Sequence, residues 1–261
     1  PAAPSAVAEK NIGADPFPQD DLTKFYQDAA DDILETTGVR RGFALILGNE
    51  QGRLAFELAR QSDLQIYCLE PDAEKVSAAR KALNAAGLYG SRVTVHQADF
   101  QPVPYSNYFA NLIVSDSQIT RGKIPGDPTE VARHLKPIGG VLYLAGKEDD
   151  SKEVVQARQD WLAGMELGDQ SHTATHGAAV TLTRDKLPGA ANWSHQYGDP
   201  GNTASSADRR LKGGLGVLWY GDPGPGKMVN RHDGAVGPLP IDGRLIGRGA
   251  NSVMAYDAYN G

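Results

Sequence analysis

Four residues between positions 43 and 99 have types and spacings that suit the binding of a nucleotide. Gly48 and Gly52 bracket a turn between an apolar run and a helical pattern, where glycines let a ligand approach the backbone. Glu70 ends the next apolar run, and a carboxylate at such a strand end can accept both hydroxyls of a ribose. Asp99 follows a third run, where an acid can hold the amino group of an adenine. Their joint spacing predicts a nucleotide site at one edge of a sheet.

An alternation of apolar runs and helical patterns must position these residues. Because several of the runs are continuously apolar, they are typical of parallel strands that helices cover on both faces. The fold class that follows is α/β, a doubly wound, Rossmann-like and mostly parallel sheet. The patterns predict strands over 43–47, 65–69, 93–97, 111–115, 141–145 and 178–183, and helices over 21–38, 53–60, 73–86, 129–135 and 151–165.

Composition divides the chain into three parts. Residues 1–20 are rich in Pro, Ala and Asp and predict an extended N-terminal arm. The α/β domain is expected over 21–186, and 187–261 reads as a linker followed by a short Gly/Pro-rich β segment. Its last apolar pieces predict a hairpin over 244–258. Two strands alone are marginal in water, so the segment either belongs to a larger β architecture or packs on the α/β domain.

Charge and hydropathy limit the partners. The formal net charge of −6 argues against a generic electrostatic grip on nucleic acid. No run approaches the roughly 18 apolar residues of a membrane span. The single cysteine, Cys68, lies in an apolar strand and is expected to be buried filler.

Two short motifs favour ordinary loops over ligand sites. His172 and His176 in HTATH have a metal-ligand spacing only on a helix, and the local Thr and Gly content instead predicts a solvated loop with no metal. GDPGPGKM at 221–228 matches the first part of a phosphate-binding loop. It lacks the following Ser or Thr and a following helix, so a surface loop is expected.

The runs LILGNEQGRLAFELA, CLEPDAEKVSAARK, RVTVHQADF and RHLKPIGGVLYL resemble the class I S-adenosylmethionine-dependent methyltransferases over residues 21–186. The resemblance implies S-adenosylmethionine (SAM) as cofactor and an acceptor that the sequence does not name. It also implies roles for individual positions. The methionine and ribose end would lie on the loop of Gly48, Glu50 and Gly52, the ribose on Glu70, the adenine on Ala98, Asp99 and Phe100, and the methyl-transfer region on Ser115, Asp116 and Ser117. Asp116 or Tyr105 would orient the acceptor.

Two positions depart from that family's pattern. Ile46 stands where an acid is common in the first strand, and Glu50 replaces the central glycine of the loop. A carboxylate there would collide with the ligand or repel the ligand's own carboxylate, unless it points away from the site. The cofactor site is therefore either intact or degenerate.

The C-terminal segment has a resemblance of its own. NWSHQYGDPGNTASSAD at 192–208 and GRLIGRGANSVMAYDAYNG at 243–261 are similar to quinoprotein (PQQ)-like β-propellers. Less than one further blade is present, and a propeller closes by repeating four-stranded blades. The pattern thus predicts a piece of a longer polypeptide whose other propeller segments would be its partners.

Three functions remain open at this level. One is a SAM-binding methyltransferase-like domain, for which a cytoplasmic location is expected because SAM is a cytosolic metabolite. The second is a non-catalytic scaffold of a periplasmic or otherwise exported propeller protein. The third is a redox quinoprotein, whose activity would need the longer protein. Binding of SAM or of its demethylated product separates the first function from the other two.

Overall fold

A seven-stranded sheet with helices on both faces organises the chain up to residue 184. The structure is a computed structural model, and it describes residues 13–221, 227–230, 232 and 234–261. Its helices are α1 (Asp21–Thr37), α2 (Arg53–Gln61), α3 (Ala73–Ala85), α4 (Asp116–Arg121), α5 (Pro128–His134) and α6 (Lys152–Ala163), and a 3₁₀ turn lies at Gly168–Gln170. Its strands are β1 (Arg41–Leu47), β2 (Asp63–Glu70), β3 (Val93–Gln97), β4 (Leu112–Ser115), β5 (Gly140–Leu144), β6 (Ser171–His176), β7 (Ala179–Arg184), β8 (Leu239–Ile241), β9 (Arg244–Arg248) and β10 (Val253–Asp257).

The order of the large sheet is β3-β2-β1-β4-β5-β7-β6. The five strands β3, β2, β1, β4 and β5 are parallel to one another, and β7 is antiparallel to both β5 and β6. The chain order reverses between β1 and β4, which makes the carboxyl ends of these two strands the expected ligand crevice. The α/β, Rossmann-like, mostly parallel fold is therefore confirmed.

The core has two layers, one on each face of the sheet. Successive residues of β1 alternate between the faces: Ala44 and Ile46 pack with buried residues of α1, α2 and α3. Leu45 and Leu47 pack with residues of α5 and α6. Since both faces of β1 are buried, the strand reads in sequence as an unbroken apolar run.

The HTATH segment corrects one expectation. The prediction of a solvated loop is wrong, because these residues form strand β6, paired along its length with β7. His172 contacts the carboxylate of Asp185, and His176 contacts the hydroxyl of Thr181. An edge strand whose side chains are mostly exposed has no apolar alternation, so periodicity could not reveal it.

The final segment packs against the α/β domain. Strands β8, β9 and β10 form an antiparallel sheet that includes the expected hairpin. Asp257 of β10 forms an ion pair of 2.8 Å with Lys136, and the side-chain amide of Asn260 donates to the carbonyl oxygen of Phe109. Three strands are fewer than the four of a propeller blade, and the propeller resemblance stays a prediction.

Some expectations fall on residues outside the described ranges. These are residues 1–12 of the predicted arm and residues 222–226 of the phosphate-loop motif. Within the described ranges, no helix combines the length and the apolar character that crossing a bilayer requires.

Candidate functional site

The turn from β1 to α2 needs glycine at both of its ends. Gly48 and Gly52 have φ angles of 74° and 86°, in the left-handed region. A Cβ on Gly48 would collide with the Oγ of Ser117. A Cβ on Gly52 would lie 3.2 Å from the side chain of Leu83 in α3. The turn is thus packed closely between the start of α4 and the C-terminal half of α3.

Two buried carboxylates hold this turn through its backbone. Glu70, at the end of β2, accepts the N–H of Asn49 at 2.8 Å and the N–H of Asp72 at 3.0 Å. Asp116, the first residue of α4, accepts the N–H of Glu50 at 2.8 Å and the hydroxyl of Tyr26 at 3.0 Å. Asp116 is fully buried, and this burial raises the pKa of its carboxyl to about 6 against the opposing effect of the two hydrogen bonds.

The carboxylate of Glu50 lies between two cations. It contacts the ammonium of Lys75 on α3 at 2.8 Å and the guanidinium of Arg121 on α4 at 2.7 Å. Arg121 also donates to the Oγ of Ser117 at 2.9 Å. The charge of Glu50 is therefore compensated within the protein, which removes the simple repulsion expected for an anion in this loop.

A cavity of about 410 Å³, here called the smaller cavity, opens beside these groups at the carboxyl edge of the sheet. Of the residues expected in a cofactor site, Glu70, Phe100 and Ser117 line it. The chain brings these three together from the ends of β2, β3 and β4. The remaining lining residues are Pro71, Arg121, Lys123 and Pro125.

Other expected site residues lie outside that lining. Asp99 is exposed, and no hydrogen bond or ion pair to its carboxylate is formed by any described residue. Ala98 contributes its backbone N–H to the carbonyl of Glu70 at 3.3 Å. Ser115 caps α4 by accepting the N–H of Gln118, and it donates to the carbonyl of Leu47. Asp116 instead holds the turn by accepting the N–H of Glu50.

A cavity of about 620 Å³, here called the larger cavity, lies between α1, α4 and the carboxyl end of β5. One wall carries Phe25 and Asp32 of α1 with Tyr143 of β5, whose hydroxyl donates to Asp32. Another wall carries Lys147, and within the described ranges its ammonium makes no ion pair. Arg121 lines both cavities, so the two adjoin.

Tyr105 does not accompany Asp116. Its hydroxyl lies 2.7 Å from Nδ1 of His96, and its ring packs against Phe109 with centroids 5.0 Å apart. The rings of Tyr105, Phe109 and Tyr67 line a separate cavity of about 240 Å³. The role predicted for Tyr105 at the acceptor has no geometric support here.

Sequence reasoning missed the cations of the site. Lys75 and Arg121 come from α3 and α4, and nothing in their local sequence marks them. The one available signal was Glu50 itself, since a half-buried carboxylate in a tight turn requires a partner.

Parts of the chain are similar to known methyltransferases. A family model described as a methyltransferase domain matches residues 44–139. Dimethylglycine N-methyltransferase from Parasynechococcus marenigrum is 29% identical over 147 residues, 55% of this chain and 52% of that protein. The chain thus spans about half the length of this curated relative.

A solved structure supports the assignment of the fold. It comes from Methanococcus maripaludis, is described as a candidate S-adenosyl-L-methionine-dependent methyltransferase, and superposes with a TM-score of 0.52 at 22% identity. The match covers 63% of this chain and 86% of that one. At this level of identity the likeness shows a shared fold.

Proposed function

Because the chain carries a class I SAM-dependent methyltransferase domain, we propose that it binds SAM in the smaller cavity and methylates an acceptor held in the larger one. The observation that carries this proposal is the pair of adjoining cavities at the carboxyl edge of the sheet, with Arg121 in the wall of each. A methyl donor and an acceptor need neighbouring sites, because the acceptor atom must be held close to the methyl group and in line with the bond that breaks.

The residues of the smaller cavity fit the adenosine part of SAM. Its volume of about 410 Å³ is within the range of ligand pockets. Glu70 offers a carboxylate for the ribose hydroxyls, and Phe100 offers an aromatic ring for the adenine. In the neighbouring turn, the side-chain nitrogen of Asn49 is buried without a hydrogen-bond partner among the described residues. An unsatisfied donor is costly and is more readily understood in a turn that binds a ligand.

When bound, SAM supplies an activated methyl group on a positively charged sulfur. The chain's own residues would hold and orient this cofactor. Glu70 would bind the ribose, Phe100 would contact the adenine, and Ser117 with Arg121 would bind the amino-acid end. No dedicated acid or base is assigned, because proximity and alignment account for much of the rate in such a transfer.

The larger cavity suggests the class of acceptor. Phe25, Tyr143 and the carboxylate of Asp32 form a wall that suits a protonated amine, through charge and through the faces of the rings. The amine must release this proton to solvent before its nitrogen can attack the methyl group. The ammonium of Lys147 is placed to attract a carboxylate. The curated relative is a dimethylglycine N-methyltransferase, and dimethylglycine carries both of these groups. We therefore assign a small amine with a carboxylate as the acceptor.

Transfer of tritium from methyl-labelled SAM to dimethylglycine and related amines by the full chain tests this assignment. Asp32→Asn should lower kcat/KM for the amine about tenfold, chiefly through KM. Asp31→Asn is the matched control, because Asp31 is the exposed neighbour on the same helix and does not line the larger cavity. Failure of every amine to accept the label, in a protein that binds the demethylated product, would refute the acceptor class.

A further inference from the structure

Three charged side chains meet beside the turn, and two of them are cations while only one is an anion. Glu50 projects from the turn, while Lys75 and Arg121 approach it from α3 and α4. Both oxygens of the carboxylate are used: Oε2 lies 2.8 Å from Lys75, and Oε1 lies 2.7 Å from Arg121. Two cations converging on a single carboxylate form a complete binding site for that group.

The site lies where the amino-acid end of a ligand would fall. Glu70 and Arg121 both line the smaller cavity, and they come from opposite sides of the switch point. A ligand whose sugar binds Glu70 and whose chain runs along Ser117 would bring its far end to Arg121. Lys123 lines the same cavity and adds positive charge there. A carboxylate at that end of the ligand would bind to the same two cations that form ion pairs with Glu50.

We propose that Lys75 and Arg121 form a carboxylate-binding site which Glu50 fills when no ligand is bound, so that a ligand carboxylate must displace Glu50 in order to bind. This inference rests on the proposed binding of SAM in the smaller cavity. Glu50 acts as a tethered competitor, since attachment to the same chain gives it a high effective concentration. Its side chain is 24% exposed and that of Arg121 is 56% exposed, so the pair is open to exchange with solvent.

Two ligands that differ only in the amino-acid end isolate the effect. S-adenosylhomocysteine carries the carboxylate, whereas 5′-methylthioadenosine has the same adenosine and sulfur without it. Calorimetric titration of the full chain with each ligand gives two dissociation constants and their ratio. Glu50→Gln keeps the shape of the side chain and removes its charge. It should tighten S-adenosylhomocysteine about tenfold or more, and change methylthioadenosine less than about threefold.

Glu74→Gln serves as the control. Glu74 is an exposed acid next to Lys75 and is not part of the ion-pair cluster. Its replacement by Gln therefore removes one negative charge nearby but leaves both cations paired with Glu50. Its ratio should match that of the unaltered chain. Should Glu50→Gln unfold, Glu50→Ala is titrated in its place with the same expectation.

The outcomes are distinguishable. Equal tightening of both ligands, or an unchanged ratio, would overturn the competitor role while leaving SAM binding in place. Weaker binding of S-adenosylhomocysteine to Glu50→Gln would also overturn it, because Glu50 would then hold the ligand's ammonium. Absence of binding of either ligand to every variant would refute the proposed function itself.

Discussion

Replacing Asp116 by Asn should change how the stability of the protein depends on pH. The carboxyl is fully buried, and burial raises its pKa from 3.8 to about 6. A raised pKa means that the folded state favours the protonated form. The contribution to stability is then complete below pH 3.8 and is lost as the pH rises through about 6. At about 1.4 kcal/mol for each pH unit, the loss amounts to about 3 kcal/mol.

Urea unfolding at several pH values between 4 and 8 measures this loss. The free energy of unfolding of the unaltered chain should fall by about 2.4 kcal/mol relative to Asp116→Asn between pH 4 and pH 7, because part of the full loss has already occurred at pH 4. Titrations of all other groups cancel in the difference between the two proteins. Asp99→Asn is the control, because it makes the same substitution at an exposed position. A flat difference for Asp116→Asn, or one of opposite sign, would refute the reasoning.

Three further substitutions, the first with a control, test the packing of the fold. Gly146→Ala would drive a Cβ into the carbonyl of Ala178, and should cost about 1–3 kcal/mol in urea unfolding. Gly214→Ala, with no atom within 4 Å of the added Cβ, should show no such loss. Phe56→Ala removes a ring that is 1% exposed, and the same measurement should show a loss of about 3–5 kcal/mol; a loss below about 1 kcal/mol would contradict its place in the core. Asp257→Asn removes the carboxylate that pairs with the buried ammonium of Lys136, so hydrogen exchange in β8–β10 should accelerate. Unchanged exchange would show that the ion pair does not hold that sheet.

The main sheet could be predicted from the sequence because its strands are buried on both faces. Leu45 and Ile46 face opposite cores and are both fully buried, so β1 reads as an unbroken apolar run. Strand β6 could not be predicted, because exposed residues such as Thr173 and His176 owe their strand geometry to pairing with β7.

The candidate site was predictable only in part. Glu70 follows from its place at the end of β2, which a strand pattern locates. The direction of the Glu50 side chain does not follow from sequence, since it depends on Lys75 and Arg121 arriving from two other elements. Tertiary packing decides such contacts, and a single sequence does not encode them as a local pattern.

Calorimetric titration of the full chain with S-adenosylhomocysteine tests the central claim most directly. The account predicts one bound molecule per chain, with binding weakened about tenfold or more in Glu70→Gln, which keeps the shape but removes the charge that would hold the ribose. Glu74→Gln, an equal loss of charge outside the smaller cavity, should bind as the unaltered chain does. Absence of both heat and a thermal shift with millimolar S-adenosylhomocysteine or SAM would contradict the account.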